Sequence, residues 1–431
     1  MFSRQFDLKE LLLDLPDRIS EVMEIIIQNG WLRPENIDRL TKIILDCSVL
    51  RVFLIEKYVE LAKELSKIET LIRKSILDMI IADSSNYYNT ITYMRFLKYS
   101  HLYQIYDINT LVVFFSPYPN TFKILCCFFP NEIQMQYPKL FRMFLTFIGD
   151  DKTGSLCKFY KENKDTELRN HKVLTDYTLY SYPKNSEQYC LKYDIIEKYK
   201  DITNGFGFSF TNHIQSNPYD SYMKLVDNQP PLDFTARYGS IKCFRFILVN
   251  EPRAIRKDYL TITGSIDILH LIEEVSRFTK QSLYNCMEFK HHDIVKWMIG
   301  KIDSSRLIEN QILCRYIREG NIPMVSFLIE NGFSPKLVQN TETTHNNVTN
   351  IQPLSPFGSA CLSGDIEMIK FIHPLTDIII EKTHQQTPLH LAALSKNREA
   401  FEYILANFQY TLDQEDDNGI TPRMIIKDFN W

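Results

Sequence analysis

Glycine is scarce in this chain, at 13 of 431 residues, and alanine, with nine, is scarcer still. So few glycines argue against a nucleotide-binding fold built on Gly-rich phosphate loops. They also leave few turn markers, which favours helices joined by polar loops. No sign of charge prevails either: 49 Lys+Arg stand against 53 Asp+Glu, a formal net charge of −4. That balance gives no general electrostatic affinity for nucleic acid or anionic lipid. A long apolar run is missing as well. The greasiest window, Leu111 to Phe129, is broken by Pro117, Pro119, Asn120 and Lys123, short of the roughly 18 apolar residues a spanning helix needs. Arg4, Asp7, Lys9 and Glu10 interrupt the first residues, so no secretory leader is expected. Nine cysteines, an odd number without regular spacing, read as reduced thiols of a cytoplasmic protein and not as a disulfide framework. The sequon Asn347-Val348-Thr349 is then a chance match in an Asn/Thr-rich loop.

What is present is an ordinary globular composition with an aromatic excess. Hydrophobic residues make up 45%, charged residues 24% and aromatics 13%, with 28 Phe and 24 Tyr. The length allows roughly two to four domains. Residues 1–150 read as successive amphipathic helices. Val22, Ile25 and Ile26 lead into Gly30 as a helix-ending cap, and Val49, Val52, Phe53, Tyr58, Leu61 and Leu65 mark a longer segment. Residues 151–224 read as an irregular connector with room for short strands. They are rich in charge of both signs and then in tyrosine, at Tyr177, Tyr180, Tyr182, Tyr189 and Tyr193.

Residues 225–431 repeat. GSIKCFRFIL at 239–248 returns as GSIDILHLI at 264–272, KHHDIVKWMI at 290–299 and GNIPMVSFLI at 320–329. GDIEMIKFI at 364–372 and KNREAFEYIL at 396–405 continue the series. The anchors 239, 264, 290, 320, 364 and 396 lie 25, 26, 30, 44 and 32 residues apart. Each unit holds a short helix, a tight turn at the anchor and an amphipathic helix. One such unit cannot bury its apolar face alone, so the units must stack.

Thr387-Pro388-Leu389-His390-Leu391-Ala392-Ala393 resembles the signature of the ankyrin-repeat family. Thr421-Pro422 restarts it 34 residues later, and Ser355-Pro356 begins a unit 32 residues earlier. The resemblance implies an all-α fold: a helix-turn-helix solenoid of about six repeats with short β-hairpin fingers, preceded by the helical N-terminal domain. Asp416 to Ile420 is similar to a finger tip, and 421–431 reads as a capping half-repeat, with Arg423 and Lys427 at normally apolar or small positions. Thr387 is expected to cap the inner helix, with Pro388 in its first turn. The His at the position of His390 is expected to tie hairpin loops together. The chain departs from the family pattern in its short early repeats, in Lys290 and Lys396 at the anchor, and in a polar insertion over 339–350. It resembles the divergent short-repeat ankyrin proteins with a helical N-terminal region found in trichomonad-type protists.

No catalytic constellation stands out. There is no Gly-x-Ser-x-Gly elbow, Walker sequence or kinase set. Gly205 to Gly207 lacks a third glycine, and the Glu273-Glu274 and Glu415 to Asp417 carboxylates read as solvated faces or hairpin tips. Cys286 with His291 and His292 lacks the paired spacing of a zinc site. Cys243, Cys286, Cys361 and the adjacent Cys126-Cys127 read as core. No cofactor, metal or nucleic acid is therefore expected.

The expected function is non-enzymatic protein binding by an adaptor, through the concave face of the solenoid. The candidate contacts on that face are Arg237, Tyr238, Arg318, Glu319, Leu362, Ser363, Leu394 and Ser395. The hairpin tips add Gln385, Gln386, Asp417 and Asn418. Among them Tyr238, Arg237 and Arg318 are the expected anchors, because Tyr and Arg recur as interface hot spots. Two alternatives remain open. Leu15-Pro16-Asp17-Arg18-Ile19 resembles the opening of an F-box, which implies a substrate adaptor for a ubiquitin ligase. The N-terminal half could also hold an enzyme without a recognised motif.

Overall fold

The computed structural model describes residues 2–15, 18–148, 155–205, 207–215, 217–220, 229–251, 265–272, 278–299, 301, 306–336, 354–376 and 386–427. The anchor Gly264, the 339–350 insertion, Glu273-Glu274, Gln385 and the Pro16-Asp17 pair lie outside them. The fold is all-α. Among the described residues no strand forms, and the one isolated bridge joins Ile214 to Gln229. Backbone contacts divide the chain into two units, Lys9–Met298 and Met1–Leu8 with Ile299–Trp431.

After α1 (Phe2–Leu13) and α2 (Ile19–Gln28), the first unit is built of helices dictated by apolar spacing and by their starts. In α3 (Pro34–Leu50) and α4 (Ile55–Ile68), buried residues such as Tyr58, Leu61, Ala62 and Leu65 recur at helical intervals along one face. α5 (Leu71–Ala82) packs on α3, and α6 (Tyr87–Leu102) on both α3 and α4. Asn86 caps α6 by accepting from the Tyr88 and Asn89 amides. Asp107 caps α7 (Ile108–Phe115) at the Thr110 amide. α8 (Pro119–Phe128), α9 (Pro130–Gln136) and α10 (Pro138–Phe147) each open on proline, which needs no amide partner there.

Within the expected irregular connector, the described residues are largely helical over 155–203 and irregular from 204 to 220. α11 (Ser155–Asn163), α12 (His171–Tyr180), α13 (Glu187–Lys192) and α14 (Ile196–Thr203) span most of 155–203. Asn170 caps α12 and Ser186 caps α13, while Leu174, Tyr177, Cys190, Leu191 and Tyr199 are buried. These helices are short, so their apolar positions are too few to show a period above the dense local charge.

α13 and α14 turn out to be a repeat-like pair. They precede α15 (Pro231–Tyr238) with α16 (Ile241–Asn250), then α17 (Ile266–Ile272), then α18 (Lys280–Glu288) with α19 (His292–Ile299). α13 packs on α15, and α14 on α16. In the other unit, α20 (Arg306–Arg318), α22 (Pro356–Ser363), α24 (Pro388–Leu394) and α26 (Pro422–Ile426) stack as inner helices. α21 (Ile322–Glu330), α23 (Ile366–Ile372) and α25 (Arg398–Asn407) form the outer layer, each packed on the inner helix before it.

One turn geometry joins the six pairs whose turns are described. The pivot residue is left-handed at Asp194 (φ 56°), Gly239 (70°), Lys290 (57°), Gly320 (71°), Gly364 (68°) and Lys396 (59°). At Gly239, the Ser240 amide reaches back to the Thr235 carbonyl and the Gly239 amide to that of Ala236. The same double closure recurs at Lys290 and Gly320 and satisfies carbonyls that a helix end would otherwise orphan.

Side chains of other layers take the remaining turn groups. The Asn397 amide donates to the Gly364 carbonyl at 2.9 Å. The Ser240 hydroxyl donates to the Lys192 carbonyl at 3.2 Å, and the Asp194 carboxylate accepts from the Lys242 and Cys243 amides at 3.2 and 2.9 Å. Arg51, at the end of α3, donates to the Phe289 and Lys290 carbonyls at 3.0 and 3.3 Å. Beside it, His292 meets Glu10 at 2.9 Å. The N-terminal helices of this unit thus clasp the α18–α19 turn.

Two of the pivots should respond oppositely to substitution. A Cβ on Gly364 would lie 2.8 Å from the Ser395 hydroxyl oxygen and 2.9 Å from the Cβ of Asn397. Gly364→Ala should therefore cost about 1–3 kcal/mol, from left-handed strain plus displacement of the next turn. Lys396→Gly should instead stabilise by about 0.5–1 kcal/mol, because the strain of a side chain at positive φ outweighs the added freedom of the unfolded chain. Urea unfolding of both variants checks the signs; equal effects would show that the pivot conformation does not limit stability.

Candidate functional site

The start of α24 is closed by a reciprocal cap. Thr387 accepts from the His390 amide while its own amide donates to the His390 Nδ1 at 3.1 Å. With Nδ1 accepting, the ring proton sits on Nε2, which donates to the Ile420 carbonyl at 3.1 Å. His390 therefore locks its own helix start and the next finger with one ring. In that finger the Asp416 carboxylate accepts from the Asn418 and Ile420 amides, and Gly419 supplies the left-handed residue (φ 71°). Burial raises the Asp416 carboxyl, but these amides and the Gln386 side chain together hold it below its ordinary value. The tip forms as a bonded turn without strands.

The expected contact residues separate into exposed and internal groups. Arg318, Leu362 and Leu394 occupy the same position, two residues before the pivot, on the stacked helices α20, α22 and α24. Arg318 and Leu394 are exposed and Leu362 is half-buried. Glu319 pairs with Arg315 at 3.3 Å. Ser363 and Ser395 are half-buried, and their hydroxyls donate within their own turns, to the Ala360 and Ala392 carbonyls at 2.8 and 2.7 Å. Gln386 donates to Asp416 at 3.3 Å, while Asp417 and Asn418 are exposed at the tip. Sequence reasoning missed Ile420 and Met424, which are 41% and 52% exposed beside that tip. Their place just before and just inside the restarted Thr-Pro helix was the available signal.

Arg237 and Tyr238, expected as surface anchors, are turned inward: the first is buried and the second half-buried. Arg237 is 5% exposed, and the Tyr238 hydroxyl donates to the Asp220 carboxylate. Asp220 is buried and also meets Lys192 at 3.5 Å and the Tyr182 hydroxyl at 3.0 Å. Arg95, on α6, donates to the Thr178 carbonyl at 3.2 Å and to the Tyr219 carbonyl. Lys192 lies 5.0 Å from the centre of the Tyr238 ring. Repeat alignment alone puts Arg237 at the position of Leu394, but the helices preceding α15 cover it here.

The charges in this network are unequal. Burial alone would raise the Asp220 carboxyl, yet Lys192, Arg237, the Tyr238 hydroxyl and Arg95 together hold it well below the usual carboxylate range. Burial brings Lys192 down to about 8, and the pull of Asp220 only partly offsets it because Arg95 and Arg237 repel it. Burial, with Asp220 alongside, pushes the Tyr182 and Tyr238 hydroxyls far up.

All nine cysteines are buried free thiols. Cys286 and Cys361 lie on inner helices, Cys243 on the outer helix α16, and Cys126-Cys127 in the core of α8. Among the described residues, no three His, Cys, Asp or Glu side chains group as a metal site, and no helix is long and apolar enough to cross a membrane. Leu15, in the F-box-like string, is buried.

Paired helices, a shared left-handed pivot, and a Thr–His lock reaching the next finger define a stacked repeat protein. The family model for ankyrin repeats (3 copies) matches residues 313–416, and this part of the chain consists of ankyrin repeats. The crystal structure of the human ASB11 ankyrin repeat domain is similar at 14% identity, over 56% of this chain and 90% of that one, with a TM-score of 0.25. Ankyrin repeats are protein–protein interaction modules.

The buried network predicts a definite pH response. Asp220 has a depressed folded pKa, so its stabilisation is present above the ordinary carboxylate value near 3.8 and is lost as pH falls below it. Lys192 is depressed too, so stability should rise between about 8 and 10.5, until the raised tyrosines reverse the trend above about 10. Asp220→Asn should cost about 3–5 kcal/mol at pH 7 by stranding buried cations. It should also flatten the acid limb of urea stability below pH 4. An unchanged acid limb would assign that limb to other carboxylates.

Proposed function

We propose that this chain is a non-enzymatic adaptor whose ankyrin stack binds a protein partner across its inner-helix ends and finger tip. The observation carrying this reading is the stripe at one repeat position, Arg318, Leu362 and Leu394, of which Arg318 and Leu394 are exposed and Leu362 is half-buried. Leu394 is 43% exposed although it ends a helix whose other residues are buried. Ile420 and Met424 add exposed apolar surface at the finger tip, and Glu319, Asp417 and Asn418 supply charged and polar groups. An apolar centre with a charged margin is the usual anatomy of a recognition surface. Because the turn beneath each leucine is internally bonded, little chain order has to be imposed when a partner binds.

The helical region Lys9–Phe147 and the helices to Thr203 form the other part of the adaptor. Through Arg51 and the Asp220 network they hold the early repeats of their own unit. This division replaces Tyr238 and Arg237 as anchors with Leu394 and Arg318.

The test uses the full chain in cell extract, with a photo-crosslinking amino acid at Leu394, at Asn418 or at exposed Glu402 on the outer helix. Positions 394 and 418 should capture the same discrete protein, and 402 should not. Arg318→Glu introduced into the chain carrying the crosslinker at Asn418 should reduce that capture about tenfold or more, the effect of losing one hot-spot contact. Equal capture from Glu402, or capture at 418 indifferent to Arg318→Glu, would move the binding surface elsewhere.

A further inference from the structure

Three cysteines meet in the core of the Lys9–Met298 unit, and the adaptor function does not use them. Cys126 and Cys127 are adjacent on α8, and Cys157 lies on α11, which packs against it. The Cys127 and Cys157 sulfurs are 3.9 Å apart, with the Cys127 thiol donating. A disulfide needs roughly 2.05 Å, so each sulfur has to move by only about 1 Å, within reach of a χ1 adjustment. The surroundings hold both helices in place. The Tyr219 hydroxyl donates to the Cys127 carbonyl at 2.9 Å, and the Leu156 amide donates to the Tyr87 hydroxyl at 2.8 Å. Other buried thiols differ: Cys243 points to the Cys190 carbonyl, and Cys286 to the sulfur of Met298.

We propose that Cys127 and Cys157 are a modification site, a thiol pair that a small hydroperoxide converts into an intramolecular disulfide. Polarity within the pair assigns the roles. The Cys127 thiol bond, helped by Lys123 and opposed by burial, lowers the Cys157 pKa, while burial first and then Cys157 raise that of Cys127. Cys157 is therefore the attacking thiolate and Cys127 the resolving thiol.

The Cys157 sulfur attacks one peroxide oxygen, and the O–O bond breaks. The sulfur is oxidised to sulfenic acid, and the leaving hydroxide takes a proton to become water. The Cys127 sulfur then attacks the sulfenic sulfur and gives up its own proton. The S–O bond breaks, a second water leaves, and the S–S bond forms. Two thiols and one hydroperoxide become one disulfide and two waters when the oxidant is hydrogen peroxide.

Burial selects the oxidant. Cys157 is 3% exposed and Cys127 not at all, so a water-sized peroxide can reach them through local opening while a bulky disulfide reagent cannot. The product links positions 30 residues apart and fastens α8 to α11. A cross-link of that span restricts the unfolded chain and should raise the thermal midpoint.

The experiment treats the full chain with hydrogen peroxide under native conditions, blocks free thiols and digests with trypsin. Mass spectrometry should find the fragments 124–139 and 153–158 joined with loss of two hydrogen atoms. Reduction should separate them. Cys126→Ser should leave the link intact and Cys157→Ser should abolish it. The oxidised wild-type chain should melt at a higher temperature than the reduced one. The same protein treated with a bulky aromatic disulfide should keep Cys127 and Cys157 as free thiols. A link through Cys126, Cys157 accumulating as sulfinic acid beside free Cys127, or a link forming only in denaturant would overturn the assignment. Because the wild-type measurement stands alone, a variant that fails to fold does not decide the result.

Discussion

Everything in the stacked part of this molecule hangs on a reversal within two or three residues between paired helices. Such a reversal forces one residue into the left-handed region and leaves the last carbonyls of the first helix without intrahelical donors. Six described pivots meet the first demand, three with glycine and three with Asp194, Lys290 and Lys396. The second demand explains much of the polar chemistry between layers. Asn397, Ser240 and Arg51 all donate to carbonyls at the turn of another layer. A turn that needs outside donors can be completed only by its neighbour. Local geometry thus makes stacking specific as well as hydrophobic.

The same constraint explains why one position in the repeat means different things along the chain. Arg237, Arg318, Leu362 and Leu394 share a place two residues before the pivot. Repeat geometry fixes where each backbone lies, but the neighbours decide what its side chain meets. At Arg237 they are Asp220, Lys192 and Tyr182, supplied by the preceding segment, and the guanidinium becomes internal. At Leu394 no such cover exists, and an apolar side chain stands open to water. A buried charge cluster of this kind is a poor source of net stability, since desolvation consumes most of the attraction. It does specify a single way for α13, α15 and the Asp220 segment to fit together, because any slip strands a charge.

The features legible in the sequence were those written in unusual residues at fixed offsets. Thr387, Pro388 and His390 announce a capped helix start with a lock, and Asp416 with Gly419 announces a tight tip; the structure has both. The anchors with glycine were equally plain. The α13–α14 pair was not, because its pivot is Asp194 and its first helix has six residues, too few to display a period. Tyrosine obscured it further. Tyr180, Tyr189 and Tyr193 pack as a cluster with ring centres 4.7–6.0 Å apart, yet singly they read as polar loop residues. Asp220 carried no local signal at all, since its meaning depends on Arg95, Lys192 and Tyr238, which are brought together only by the fold.

Exposure by itself does not distinguish a recognition residue from an idle one, but hydrogen-bond economy narrows the field. Ser363 and Ser395 sit on the expected face and are half-exposed, yet each hydroxyl donates within its own turn and accepts the amide two residues on. A partner could use them only by breaking the closure that ends the helix, which sets a bond gained against a bond lost. Leu394 and Ile420 carry no such obligation, and covering them removes apolar surface from water without undoing anything inside the repeat. The residues best suited to recognition in this stack are therefore those that the turn does not need. The chemistry of the turn and that of the surface occupy adjacent positions without competing.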